Sequence, residues 1–479
     1  MPGRPSGVPV ILAHAFGARY DLPIPLAAFV LGGAAVVLLS FVLVVRLRVT
    51  ARADAATVTD DGAMTGSLSP VWGALSVLGL AFLIWVGFAG SQEVAENILP
   101  TTFWLLVWIA VPLTCGLLGN WTRPVNPFRF LAQVAGSPRA RRALLGRDEP
   151  LHWRAGWWPA VVLFFLAACS ELIFNLTMTI PHNIALALAA YALLSIVAGL
   201  VYGDSWLARG EMFTVLYDTW GRLGRFRFGA PGRTAFGGGL DAGFAPSVSR
   251  VTFVLLLLLS VNFDGLLATP RWTGFETKLG YGPVHPGALH TFRVLTFLVL
   301  AVVLGLVFFV FARWSARAGR HRDRPLTSFA GLLPSLLPIA FGYLLVHNLQ
   351  YTLVNSQLML PLLGNPLGGD HNWPITLPYP FNDSYEVHAT FLPSSFYWYA
   401  GVVVIVAVHI IAVLLAHRHL AVTATSEADG RRSEYPWLVA MVAYTMLSLW
   451  LIAQPLVKED TGASTGGATP SVPAVTTSA

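Results

Sequence analysis

The sequence predicts an all-α fold, a polytopic transmembrane helix bundle of about ten spans with both termini exoplasmic, on three observations. Of 479 residues, 55% are hydrophobic and 11% charged, and the mean hydropathy is +0.64; that balance excludes a soluble enzyme and a disordered chain. Ten apolar runs approach the length of about 20 residues that a helix needs to cross the hydrocarbon core. Arg and Lys gather in alternate connections, the pattern that sets orientation in a bilayer.

The runs are 25–45, 71–88, 102–118, 157–180, 184–201, 251–267, 291–311, 326–346, 396–416 and 437–456. They are too long and too uniformly apolar for the alternating strands of a barrel, so each is expected to be a helix with its backbone hydrogen bonds satisfied internally. Pro112, Pro159, Pro334 and Pro338 fall within runs and predict bends. With the amino terminus outside, 24 of the 30 Arg and Lys residues lie in cytoplasmic connections. The net charge of +6 is therefore a matter of topology and implies no nucleic-acid partner. Cys115 and Cys169 both sit in apolar runs and predict buried thiols rather than a disulfide framework.

This divides the chain into an exoplasmic arm or remnant signal segment over 1–24, a transmembrane domain over 25–456 and a disordered, Ser/Thr/Gly/Pro-rich exoplasmic tail over 457–479. Within the domain, 211–226 places Met212, Phe213, Leu216, Tyr217, Trp220 and Leu223 on one face and predicts an amphipathic cytoplasmic helix lying on the inner leaflet. The run 127–135 has the same character. The longest outside connection, 349–395, lacks Lys and Arg, mixes apolar stretches with turn residues and reads as an exoplasmic lid.

Seven of the twelve histidines fall on the outer side. Counting about 1.5 Å of rise per residue, Glu171 on the fourth run and Asp264 on the sixth share one level near the outer half of the membrane, accompanied by Asn175 and Asn262. Arg293 and His290 enter from the outer end of the seventh run, and His347 with Asn348 closes the eighth. Ionisable groups in hydrocarbon are costly unless paired or hydrated, so these residues are expected to line one outward-facing cavity. The alternative is a structural ion pair of Glu171 or Asp264 with Arg293. His409 lies deeper and reads as a packing residue. The lid would bring Asp370, His371, Asp383, Glu386 and His388 over the cavity mouth. Two or more His with carboxylates in a hydrated apolar pocket are the ingredients of a hydrolytic metal site. No HExxH, CxxC, GxSxG or Walker A string accompanies them.

Before the first run stands the string His14-Ala15-Phe16-Gly17-Ala18-Arg19-Tyr20-Asp21-Leu22-Pro23. In His14, Gly17, Arg19, Asp21, Leu22 and Pro23, and in the layout of most of the chain, the sequence resembles a family of bacterial integral membrane proteins known as fenitrothion hydrolases. The resemblance implies phosphotriester hydrolysis in a bacterial plasma membrane, by attack of water at phosphorus, and ties no particular residue to catalysis.

With the substrate class that the resemblance implies and the site that the residues supply, the expectation is a membrane-embedded, metal-assisted hydrolase of apolar organophosphate triesters or related esters, taken up from the bilayer. His14, Asp264, His347 and His371 would bind a divalent ion, zinc or similar, with Glu171 as base and Arg293 stabilising charge on the phosphoryl oxygen. The competing expectations are a transporter or metal-handling permease using the same carboxylates, and a noncatalytic subunit of a membrane complex.

Overall fold

The computed structural model describes residues 31–35, 38–39, 70–226, 238–240, 243–282, 285–369, 373–388, 390 and 392–453. These are helical with short connections, and no strand occurs among the described residues. Seven helices among them are long and apolar enough to cross a bilayer, which marks the chain as a multi-pass membrane protein. Of the other three expected spans, 25–45 is described only at residues 31–35 and 38–39. The run 157–180 is interrupted, and the described part of 437–456 forms the apolar end of a helix, Glu427–Ala453, whose first turns are rich in charged residues. The expected arm, including His14, and the tail lie outside the described residues, as does His371 of the lid.

Helix α1 (Pro70–Ala89) is apolar around its whole circumference and touches neighbours through small residues. A Cβ on Gly73 would meet the Phe130 ring and one on Gly87 would meet Leu99 and Ala185. Helix α2 (Ile98–Leu118) starts at Asn97, whose side chain accepts from the Leu99 N–H at 2.9 Å while its amide donates to the Val86 and Ser91 carbonyls. The segment Thr101–Ala110 of α2 is π-helical, bonding i to i+5, and Pro112 stands where regular α-helix resumes at Val111. Long π-helical stretches are rare and cluster at functional sites.

After α3 (Pro127–Ala135) and α4 (Pro138–Leu145), α5 (Trp158–Leu172) carries Pro159 harmlessly in its first turn. It unwinds at Ile173 and Phe174, resumes as α6 (Asn175–Met178) and passes into α7 (Pro181–Tyr202). Fifteen residues rise only about 22 Å, so the expected fourth span is a broken helix. Helix α3 lies along α7 so closely that a Cβ on Gly199 would stand 2.4 Å from the Ala132 carbonyl oxygen.

Short α8 (Asp204–Arg209) leads to α9 (Met212–Gly221), the helix expected on the inner leaflet. Instead, every residue of α9 except Asp218 and Gly221 is buried, and the helix packs against α2 and α5. Its polar residues are satisfied by protein. Asp218 accepts from Asn120 Nδ2 at 2.6 Å and from Arg123 at 2.8 and 3.0 Å, and Arg222 donates to the Gly239 and Gly243 carbonyls. The expected run 127–135 is likewise tucked inside at Phe128, Arg129 and Ala132.

Helix α10 (Val248–Leu267) is the buried centre, followed by α11 (Pro270–Lys278) and the largely lipid-facing α12 (Pro286–Ala318). Then α13 (Pro325–Leu332) passes through a 3₁₀ segment, Leu333–Ser335, into α14 (Leu337–Asn355), so Pro334 lies within and Pro338 just after an interruption of regular α-helix. The expected lid begins inside α14 and includes α15 (Met359–Gly364). Its chain is fastened to the outer end of α1 and α2 by Ser91 N–H to the Leu367 carbonyl (2.7 Å) and Ile98 N–H to the Pro366 carbonyl (3.2 Å). Gln357 closes it further, exchanging bonds with the His388 backbone and accepting from the Tyr385 hydroxyl. Helices α16 (Ser394–Thr423) and α17 (Glu427–Ala453) complete the bundle. Both cysteines are free and buried.

Candidate functional site: an acidic cavity between broken helices

Glu171, Asp264 and His347 all line one cavity inside the bundle, reached from α5, α10 and α14. It has two adjoining lobes of about 50 and 80 Å³ that share these three side chains. Such volumes hold a few water molecules, since one water needs roughly 10–15 Å³ by the same measure. The inner lobe is closed by Leu216 and Trp220 of α9. The outer lobe extends past Asn175, Thr179 and Tyr351.

Each ionisable group reaches the cavity for a local reason. Glu171 is one residue from the end of α5, beside the unwound Ile173–Phe174 pair, so it stands at a place where backbone as well as side chain is polar. Its Oε2 accepts a 2.6 Å bond from the Trp108 indole N–H. Trp108 is carried by the π-helical part of α2, stacked on Phe164 with ring centroids 5.6 Å apart. One turn earlier, Trp104 donates its indole N–H to the Met178 carbonyl at 3.0 Å, tying α2 to the short α6. Across the cavity, His347 Nε2 and Asp264 Oδ2 are 2.5 Å apart, with side-chain exposures of 8% and 13%. The His347 ring lies nearly parallel to that of Tyr343.

Asp264 and His347 are thus hydrogen-bonded directly to one another. Among the described residues, no three His, Cys, Asp or Glu side chains converge as metal ligands.

Arg293, read from the sequence as a partner of the carboxylates or of a phosphoryl oxygen, lines neither lobe. Its guanidinium forms a two-pronged pair with Glu276 of α11, Nε to Oε1 at 2.7 Å and Nη2 to Oε2 at 2.6 Å, and the Trp272 indole donates to the same carboxylate. Asn262 turns away to the Leu258 carbonyl and the Tyr444 hydroxyl, and His290 packs edge-on against Phe174. His409 bonds the Ile405 carbonyl of its own helix at 2.6 Å, as a packing residue does. Asp383, Glu386 and His388 of the lid are exposed and line neither lobe. Sequence reasoning missed Trp104, Trp108 and Tyr351, because aromatic residues in a span read as packing or lipid contact, and missed Glu276, which follows the sixth span in an outer connection.

No Lys or Arg side chain lines either lobe among the described residues. The cavity is therefore acidic and aromatic, fitted to a proton or a cation and ill fitted to a centre on which negative charge develops. Comparisons with family models, with curated proteins and with solved structures found no match to this chain.

Proposed function

We propose that the protein is a proton-linked membrane transporter in which Glu171, Asp264 and His347 form the proton-binding site. The observation that carries this reading is the convergence of three ionisable side chains on one water-sized cavity at membrane depth. Intramembrane ionisable residues of this kind mark proton relays and substrate paths. Two further features support it: the helix interruption at Ile173–Phe174 beside Glu171, and the 3₁₀ segment Leu333–Ser335 that precedes the helix carrying His347. Interrupted spans that put backbone polar groups at a midplane site are the recurring construction of secondary transporters.

A second reading, ester hydrolysis, rests on the His347–Asp264 contact, since a carboxylate that orients a histidine is the base arrangement of many hydrolases. Against it stands the electrostatics. Hydrolysis of a phosphotriester builds negative charge on the phosphoryl oxygen, and the group expected to stabilise it, Arg293, is held by Glu276 outside the cavity.

The test is a pH step applied to proteoliposomes on a solid-supported membrane. The wild type should give a charge-displacement current that Glu171→Gln and Asp264→Asn abolish. A wild-type response equal to that of protein-free liposomes would contradict the proposal. Turnover of an aryl diethyl phosphate in detergent, lost in His347→Gln, would instead establish the hydrolase.

A further inference from the structure

A second cavity, of about 300 Å³, lies between α5 and α7 and is almost wholly apolar. Its origin is in the packing. Helix α5 packs against α10 and α9, whereas α7 packs against α1 and α3, so these consecutive helices diverge and leave a wedge. Phe103 and Trp104 of α2 floor its outer part, and Met212 and Phe213 of α9 its inner part. The rim carries Leu166 and Leu194, which are 55% and 40% exposed, so the wedge opens sideways from the bundle at membrane depth. Of the described residues of the first expected span, Gly33 stands against Leu449 of α17.

One residue joins this wedge to the acidic cavity. Trp104 is a wall of both, and its indole is held by the carbonyl of Met178, which also lines the wedge. That single ring stands between the 300 Å³ apolar space and the lobe that contains Glu171. The only bond to Glu171 among the described residues comes from the neutral Trp108 indole, so ionised Glu171 calls for a counter-charge. Trp104 and Trp108 pack edge-to-face beside it, ring centroids 6.0 Å apart.

From this we infer that the substrate is a lipophilic cation, an apolar or aryl tail bearing a compact ammonium group, which enters from the bilayer through the α5–α7 wedge and replaces the proton on Glu171. The inference rests on the proton-linked reading. The tail fills the apolar wedge, and the head passes Trp104 to the carboxylate. Charge balances as an exchange: one cation binds the carboxylate, one proton leaves it for the aqueous side, and no bond of the substrate breaks. The same charge preference excludes anionic amphiphiles of equal size.

The probe is 4-phenylbutyl(trimethyl)ammonium, which has no proton of its own to release. It is titrated into nanodisc-embedded full-length protein by calorimetry while proton release is followed in weak buffer. The wild type should bind it with release of about one proton and should ignore 5-phenylpentanoate. Glu171→Gln should weaken binding at least tenfold, about 1.4 kcal/mol, and abolish proton release. Ala187→Trp fills the wedge from an exposed position on α7 and should weaken binding to a similar extent. Equal binding by wild type and Ala187→Trp would overturn the wedge, and binding untouched by Glu171→Gln would overturn the cation site. The two readings fail separately. An infrared carboxyl band that responds to pH in wild type and vanishes in Glu171→Gln, with no binding of the ammonium probe, would refute the substrate class and leave the proton site standing. Absence of that band would remove both.

Discussion

Two buried glutamates give the clearest contrast in the molecule. Glu211 caps α9 and is wholly buried, and its two oxygens accept from the Tyr191 hydroxyl (2.5 Å), the Phe213 and Thr214 N–H groups (3.1 and 2.7 Å), the Thr214 hydroxyl (2.5 Å) and Asn126 Nδ2 (3.1 Å). Asn126 in turn caps α3, accepting from the Phe128 and Arg129 N–H groups, so the amino-terminal ends of two short helices meet at one polar knot. Five donors and two helix dipoles stabilise that carboxylate, and it lines neither the acidic cavity nor the wedge. Among the described residues Glu171 has one donor, Trp108, and it lines a cavity. Burial of an acid alone therefore does not mark a working site. A saturated acid fixes the fold, whereas an under-coordinated acid beside a void can take and release a proton or a cation.

The largest expected effect breaks this contrast if it fails. Glu211→Ala leaves five donors facing one another in the interior and should lower stability by about 3–5 kcal/mol, read as a fall in the thermal unfolding midpoint in detergent. Glu171→Gln, which keeps the Trp108 bond, should move the same midpoint by less than about 1 kcal/mol. Equal losses would mean that both acids are structural. Next in size, Gly199→Ala forces a methyl group against the Ala132 carbonyl and should cost about 1–3 kcal/mol, because the knot depends on α3 lying close along α7. Trp108→Phe sharpens the contrast from the other side: it removes the one donor to Glu171 and should shift the carboxyl's infrared frequency, with a stability loss of about 1–2 kcal/mol.

The smallest effect lies outside the membrane. Burial pushes the His321 imidazole below its ordinary value, with Asp323 partly opposing this. The folded state thus favours the neutral ring, and its contribution is complete above the ordinary histidine range and lost as pH falls below it. The unfolding midpoint should decline on acidification and decline less in His321→Gln.

Much of the acidic cavity was legible in the sequence. Counting rise per residue put Glu171 and Asp264 at one depth and His347 near them, and the bundle brings all three to one cavity. Depth says nothing of azimuth, however, and the partner of Arg293 depended on which way α11 folds back; its partner Glu276 lay beyond the span and outside any depth count. The surface reading of 211–226 went astray for a related reason. Its amphipathic pattern is real, but the partners that let Asp218 be half-buried, Asn120 and Arg123, come from a connection nearly a hundred residues earlier. The break after Leu172 could not be foreseen, because Ile173 and Phe174 are as apolar as the helix they interrupt. Nor could the π-helical turn that aims Trp104 and Trp108, since no residue type in Thr101–Ala110 specifies i to i+5 bonding.

The central claim is that Glu171 exchanges a proton, whereas the saturated Glu211 holds the fold. It is tested most directly by infrared difference spectroscopy of the nanodisc-embedded protein across a pH step, comparing wild type, Glu171→Gln and Glu211→Gln. The account predicts one carboxyl band that appears on acidification, is absent in Glu171→Gln and persists in Glu211→Gln. A band lost only in Glu211→Gln, or spectra identical in wild type and Glu171→Gln, would contradict it.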